Sequence, residues 1–128
     1  MMKAVRWAMM LAMSVIIGVM PASAMTVSDF LTRADALKAK GALAMFQRDE
    51  IKALTVEVQS AADAFRADAG RAKASGDRSL GCPPPKGKAK IGSNDLIESF
   101  RAIPAERRKT VSVKSGFYEM MKSRYPRP

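Results

Sequence analysis

The longest periodic stretch of the sequence extends from Asp49 to about Ser75. Its apolar side chains recur every three or four residues, which places them on one face of an α-helix. The residues with this spacing are Ile51, Leu54, Val58, Ala61, Phe65, Ala69 and Ala72. Several are alanines, which favour helix and let a neighbouring helix approach closely. We interpret the stretch as the main helix of a bundle. A coiled-coil oligomerisation helix is the alternative, but the repeat is too short for sustained heptads.

Shorter helical segments are predicted before the main helix. An apolar stripe runs from Thr26 to Lys40, with Thr26 or Ser28 as the N-cap and Gly41 as a left-handed stop. The apolar block 42–46 is interpreted as a helical turn or a small helix, after which Asp49 can cap the main helix.

A loop is predicted from 77 to 92, because Pro83-Pro84-Pro85 favours an extended segment that cannot lie inside a helix. Ser93 is then predicted to cap a helix over 94–102, which ends at Pro104. Pro104 also suits the first position of a short polar turn.

The last helix is predicted to begin after Thr110 or Ser112 and to end at Pro126. Gly116 lies inside it, which indicates close packing at that point. The residues predicted to be buried on the last two helices are Leu96, Ile97, Phe100, Ile103, Val113, Phe117, Met120 and Met121. The chain is therefore predicted to be all-α: a small bundle of about four helices with a long proline-containing loop.

The first 24 residues have the features of a secretory signal peptide. Lys3 and Arg6 precede an uncharged apolar run, and Ala22-Ser23-Ala24 gives the small residues that a signal peptidase reads. A membrane anchor is the alternative, but the apolar run is shorter than the roughly 20 residues that span a bilayer. We expect cleavage after Ala24 and export to the periplasm.

The predicted organisation is a signal peptide over 1–24 and a single helical domain over 25–128. Within that domain we distinguish N-terminal helices (25–76), a Pro/Lys loop (77–92) and basic C-terminal helices (93–128). After cleavage, 20 basic and 12 acidic residues give a net charge of +8. Residues 25–75 carry +1 and residues 76–128 carry +7. Because an exported protein is unlikely to meet nucleic acid, its anionic partners are expected to be acidic proteins, lipid headgroups or envelope polymers.

Several kinds of chemistry are not expected from this composition. The chain has no histidine, which removes the usual general base and zinc ligand, and its single cysteine, Cys82, cannot form an intrachain disulfide. Acidic residues on the main helix alternate with basic ones, as on a solvated helix face. We therefore expect no catalytic residue, no cofactor and no metal site, and we predict that Cys82 is a free thiol.

Two basic clusters are the candidate partner-binding residues. One is the loop cluster Lys86, Lys88 and Lys90, and the other is the turn cluster Arg107, Arg108 and Lys109. Such residues steer association with an acidic protein surface. The alternative is that they only keep a small exported domain soluble.

The second half of the chain resembles a known family over residues 82–126. The similar features are Cys82-Pro83-Pro84-Pro85, the helix start Ser93-Asn94-Asp95-Leu96, the segment 100–107 around Pro104, and a last helix ending in Tyr125-Pro126. This layout is similar to the Tai/Rap type of immunity protein from type VI secretion systems. In that family a cysteine at the position of Cys82 commonly pairs with one after the terminal proline, where this chain has Arg127.

The resemblance implies a periplasmic, all-helical protein that binds and blocks a peptidoglycan-cleaving amidase effector and often forms a homodimer. The expected function is thus a non-catalytic binding protein that occludes a cell-wall hydrolase. The alternative is a generic envelope-associated helical protein whose charge binds anionic lipid or polymer. No segment after Ala24 is expected to span a membrane.

Overall fold

The computed structural model describes residues 24–85, 88 and 90–126. These residues form five α-helices and one 3₁₀-helix: α1 (Val27–Ala39), the 3₁₀-helix (Gly41–Phe46), α2 (Arg48–Ser75), α3 (Ser93–Ala102), α4 (Ala105–Arg108) and α5 (Val113–Arg124). The prediction of an all-α fold is confirmed. Apart from Ala24, the predicted signal peptide lies outside the described residues.

Within the described part of the chain, no helix combines the length and the apolar character needed to cross a bilayer.

Three helix ends follow the sequence. Thr26 Oγ1 accepts a hydrogen bond from the Asp29 N–H (3.1 Å), which identifies Thr26 as the N-cap of α1. Ser112 does the same for α5 by accepting from the Ser115 N–H (3.0 Å). Gly76 ends α2 with a φ of +77°, the left-handed conformation that glycine adopts without steric cost.

The predicted caps Asp49 and Ser93 are wrong. Helix α2 starts one residue before Asp49, because the 3₁₀-helix leads almost directly into it and the Gln47 N–H already donates to the Ala44 carbonyl (2.9 Å). Ser93 is the first residue of α3, and Gly92 is at the cap position. The Asp95 carboxylate reaches back and accepts from the Gly92 N–H (2.9 Å). A carboxylate in the first turn can satisfy the backbone at the helix start, as the second half of a capping box does.

Pro104 also lies one position earlier than predicted. It precedes α4 rather than beginning it, and its carbonyl accepts from the N–H groups of Arg107 (2.9 Å) and Arg108 (3.1 Å). The backbone of Pro104 (φ −53°, ψ 140°) is not helical, and it separates α4 from α3, whose last residue is Ala102.

The core lies where α1, α3 and α5 meet. Val27, Phe100 and Val113 are fully buried, and the Phe30 and Phe100 rings meet edge to face with centroids 5.4 Å apart. Helix α2 packs on α5 through Phe65, which contacts Phe117 edge to face. The buried apolar residues are Val27, Phe30, Leu31, Leu54, Ala61, Phe65, Ala72, Leu96, Phe100, Ile103, Val113, Phe117, Met120 and Met121.

The apolar stripe of α2 is only partly buried. Ile51 is exposed, and Val58 and Ala69 are half-buried, as is Ile97 on α3. These four residues face a groove that the core does not fill. The helix predicted for this stretch is confirmed, whereas the predicted burial of Ile97 is only partial.

The chain segments before α1 and before α5 pair with each other. The Val27 N–H donates to the Val111 carbonyl, and the Val113 N–H donates to the Met25 carbonyl, each at 2.8 Å. Thr26 and Ser112 form an isolated antiparallel bridge at this point. The pairing fixes the starts of the two helices side by side and satisfies backbone groups that both helices leave open at their N-termini.

Gly116 lets α5 approach the core closely. A Cβ at this position would lie 2.9 Å from Val27 Cγ2 and 3.1 Å from Phe100 Cε1, closer than carbon atoms pack. Gly70 in α2 is different, because a Cβ there would meet nothing within 4 Å.

The substitution Gly116→Ala is therefore expected to lower the free energy of unfolding by about 1–2 kcal/mol, since overpacking outweighs the gain in helix propensity. The same change at Gly70 is expected to raise it by about 0.5–1 kcal/mol. Urea unfolding followed by circular dichroism measures both. Equal effects of the two substitutions would contradict close packing at Gly116.

Candidate functional site: an apolar groove and an exposed connector

The loop cluster predicted from the sequence is solvent-facing where it can be described. Lys88 and Lys90 are exposed, and Lys86 lies outside the described residues. The loop is attached to the rest of the fold at Cys82, because the Cys82 N–H donates to the Tyr125 carbonyl (2.9 Å). Cys82 is exposed and forms no disulfide within the described part of the chain. A backbone hydrogen bond thus joins the loop to the end of α5, next to the position where the family resemblance implied a disulfide.

The turn cluster is largely engaged within the fold. Arg107 Nη2 binds Glu119 Oε1 of α5 (2.7 Å). Arg108 Nε donates to the Ile103 carbonyl (2.7 Å), and its Nη2 donates to the Arg101 carbonyl. Both carbonyls lie at the C-terminal end of α3, where no N–H of a following helical turn is present to bond them. The Arg108 side chain therefore serves as a C-terminal cap of α3. Lys109 has a longer contact, 3.9 Å to Glu106, and is the most available of the three.

The structure does not bring the two basic clusters together. The turn cluster precedes the start of α5, whereas the loop contacts Tyr125 at its end. Between these two attachment points lies α5, whose 12 residues span about 18 Å.

The described residues form a groove of about 1090 Å³. Helix α2 forms one wall, α1 and α3 form the other, and Leu80 to Pro85 close one end. Phe117 and Met121 of α5 lie at the bottom, where they also belong to the core. The apolar side chains that line the walls are Phe30, Ala34, Leu37, Ile51, Leu54, Val58, Ala62, Phe65, Ala69, Leu80, Ile91, Leu96 and Ile97.

The groove exists because α2 carries small side chains where it faces α1 and α3. Ala62, Ala69 and Gly70 line the wall but cannot reach across it. The sequence did show these small residues, yet they indicate only that something can approach α2 closely. Whether a helix or open space lies opposite depends on how the helices are arranged in three dimensions.

A second feature is the exposed connector, which we define as Leu43, Met45 and Phe46 of the 3₁₀-helix. Their exposed fractions are 64%, 71% and 83%. No residue of the 3₁₀-helix is buried. Three large apolar side chains that protrude together from a short connection are unusual on a monomer surface and are typical of contact sites for other proteins. The sequence indicated a small helix here, but gave no signal of its exposure.

The connector is held between two helices that are joined at its base. Arg33 of α1 and Glu50 of α2 form a two-pronged ion pair, with Nη2 2.8 Å from Oε2. The hydrogen bond from Arg33 lowers the pKa of Glu50. Within the connection, the Leu43 N–H donates to the Lys40 carbonyl (3.1 Å). The apolar side chains thus protrude from a defined turn.

No group of histidine, cysteine, aspartate or glutamate side chains with metal-binding spacing occurs among the residues that the structure describes.

The most strongly shifted pKa lies away from the groove, where α5 meets α2. The Tyr118 hydroxyl donates to Asp68 Oδ2, and burial, followed by this hydrogen bond and the Asp68 charge, raises the pKa of Tyr118 to about 12. The same hydrogen bond lowers the pKa of Asp68. The pair links two helices.

Because the folded state favours the neutral phenol, this contribution to stability is complete below pH 10 and is lost as the pH rises toward 12. We expect the free energy of unfolding to fall between pH 9 and pH 11.5 by more in the native protein than in Tyr118→Phe. Urea unfolding at both pH values tests this. An equal fall in the two proteins would contradict the assigned shift.

Comparison with known proteins found no matching family model, no matching curated protein and no matching solved structure. The site must therefore be interpreted from its own geometry.

Proposed function

We propose that the protein is a non-catalytic, immunity-type binding protein of the periplasm that occludes a peptidoglycan-cleaving amidase effector. The observation that carries this proposal is the exposed connector. Hydrolase active sites are concave, and an apolar element that protrudes from a rigid base is suited to fill such a cleft. Phe46 is the most exposed of its side chains and is of the aromatic type that anchors protein interfaces.

The charge distribution supports a protein partner with an acidic surface. Lys88, Lys90 and Lys109 are exposed and only weakly engaged, so they can steer association. Arg107 and Arg108, in contrast, have structural partners within the chain. We therefore assign the three lysines to the steering of association and the two arginines to stabilising the fold. The partner-binding set expected from the sequence becomes smaller as a result.

The substitution Phe46→Ala is expected to weaken inhibition of the target amidase at least tenfold, since loss of an interface anchor costs about 2 kcal/mol or more. Val56→Ala is the matched control, because Val56 is also apolar and exposed but lies on α2 away from the connector. The measurement is hydrolysis of purified peptidoglycan sacculi by a panel of type VI amidase effectors, beginning with any that is encoded beside this gene.

Two results would contradict the proposal: inhibition of no amidase in the panel, or equal inhibition by the native protein and Phe46→Ala. Binding to anionic vesicles that disappears at high salt, without amidase inhibition, would instead support the envelope-associated alternative.

A further inference from the structure

The groove between α2 and the α1/α3 wall has the size of a small-molecule site. Its volume of about 1090 Å³ is slightly above the range of roughly 300–1,000 Å³ that is usual for ligand pockets. Its inner surface is mainly aliphatic, with Leu37, Val58, Leu80 and Ile97 on opposite sides. Such a surface gains most from an occupant with an apolar chain.

The polar residues of the groove give its mouth a positive charge. Arg66 and Lys73 are seven residues apart on α2, so they lie on the same edge of that helix, and Arg78 follows in the loop. Asp77 is the one carboxylate among the lining residues, and it accepts from the Ser79 N–H (2.9 Å). Three cationic side chains and one carboxylate, which already accepts a hydrogen bond, give this part of the groove a net positive charge. That charge favours a ligand with an anionic group here.

Two carbonyls in the last turn of α2 have backbone donors. The Gly76 N–H donates to the Lys73 carbonyl (3.2 Å), and the Asp77 N–H donates to the Ala72 carbonyl (2.8 Å). Arg66 has a contact of 3.6 Å to Asp63, but both side chains are at least half exposed. Such an exposed pair is weak and leaves the guanidinium available.

We propose that the groove binds a single-chain amphipathic anion, with an alkyl chain along the aliphatic walls and a carboxylate or phosphate headgroup at Lys73 and Arg78. This site is separate from the exposed connector, because none of Leu43, Met45 and Phe46 lines the groove. It therefore does not depend on the proposed function.

The first test uses dodecanoate as the probe, below its micellar concentration, in calorimetric titration of the purified protein. The comparison ligands are dodecan-1-ol and dodecyltrimethylammonium, which keep the chain and change the head. We expect dodecanoate to bind at least tenfold more tightly than the alcohol and the cation. We also expect a gain of about fifteenfold from decanoate to dodecanoate, because each of the two added methylenes contributes about fourfold when buried. Equal affinity for the three headgroups, or no binding, would overturn the proposal.

Cys82 gives an independent readout at the site itself. Its thiol is exposed, it lines the groove, and it is the only cysteine of the chain. Bound dodecanoate is expected to slow modification of Cys82 by a maleimide, and dodecyltrimethylammonium is not. An unchanged rate at saturating dodecanoate would place binding elsewhere.

Two matched pairs of variants locate the site. Gly70→Leu adds a side chain to the groove wall and is expected to weaken dodecanoate binding at least tenfold, whereas Gly70→Ala is expected to leave it unchanged. Lys73→Gln is expected to weaken the binding of dodecanoate but not that of dodecan-1-ol. Lys52 lies on α2 outside the groove, and Lys52→Gln is expected to change the binding of neither ligand. If Gly70→Leu loses its helical circular dichroism, the lysine pair decides.

The outcome is distinguishable from that of the amidase experiment. Phe46→Ala is expected to keep native affinity for dodecanoate, and Lys73→Gln is expected to keep native inhibition of an amidase. Loss of dodecanoate binding in Phe46→Ala would show that the two sites are not separate and would overturn the assignment of the groove.

Discussion

Phe100→Ala is expected to lower the free energy of unfolding by about 3–5 kcal/mol, because Phe100 is the largest fully buried side chain among the described residues. Phe100 has no exposed surface, its ring meets the Phe30 ring edge to face, and it would lie 3.1 Å from a Cβ at Gly116. The cavity cannot close easily, because Gly116 has no side chain that could move into it. For a domain with a total stability of about 5–15 kcal/mol, the loss would leave a substantial unfolded fraction on mild heating.

The matched control is Phe46→Ala, the same truncation at a side chain that is 83% exposed. Its effect on stability is expected to remain within about 0.5 kcal/mol. Urea unfolding of both variants, monitored by circular dichroism, gives the comparison. A loss below about 1 kcal/mol for Phe100→Ala would mean that the core is not centred on this residue.

Gly81→Ala is expected to lower the free energy of unfolding by about 2–3 kcal/mol. Gly81 has a φ of +77°, which costs an ordinary residue about 1–2 kcal/mol. In addition, a Cβ on Gly81 would collide with the Tyr125 carbonyl oxygen, which is the acceptor for the Cys82 N–H. The substitution therefore separates the loop from the end of α5.

Gly41→Ala isolates the conformational part of this cost. Gly41 also has a positive φ, +55°, but a Cβ there would meet nothing within 4 Å. We expect a loss of about 1 kcal/mol for Gly41→Ala and faster hydrogen exchange of the Cys82 amide only in Gly81→Ala. If the two substitutions cost the same, the contact between the loop and Tyr125 does not contribute to stability.

The helices could be predicted from the sequence because they depend on local patterns. The apolar period of α2, the cap at Ser112 and the close packing at Gly116 each follow from residues near one another in the chain. The caps predicted at Asp49 and Ser93 were wrong because another nearby group starts the helix in each case. The 3₁₀-helix leads into α2, and the Asp95 carboxylate accepts from the backbone at the start of α3.

The candidate sites could not be predicted in the same way, because they depend on what lies opposite a residue. Val58 and Ile97 have the same pattern as core residues, yet they line a groove. Arg108 belongs to a basic cluster of the kind that docks an acidic partner, yet its side chain caps the end of α3. Phe46 is part of an apolar block that resembles a packing helix, and only the arrangement of α1 and α2 leaves it in solvent.

The pairing of Met25 with Val113, and of Cys82 with Tyr125, places the two ends of the described chain at opposite ends of α5. This determines how the protein should be immobilised. Attachment through an N-terminal tag leaves the Cys82 end of the groove about 18 Å from the tether, a distance set by α5. A C-terminal tag would emerge beside Gly81 and crowd that end. Biosensor measurements of the groove should therefore use N-terminal capture.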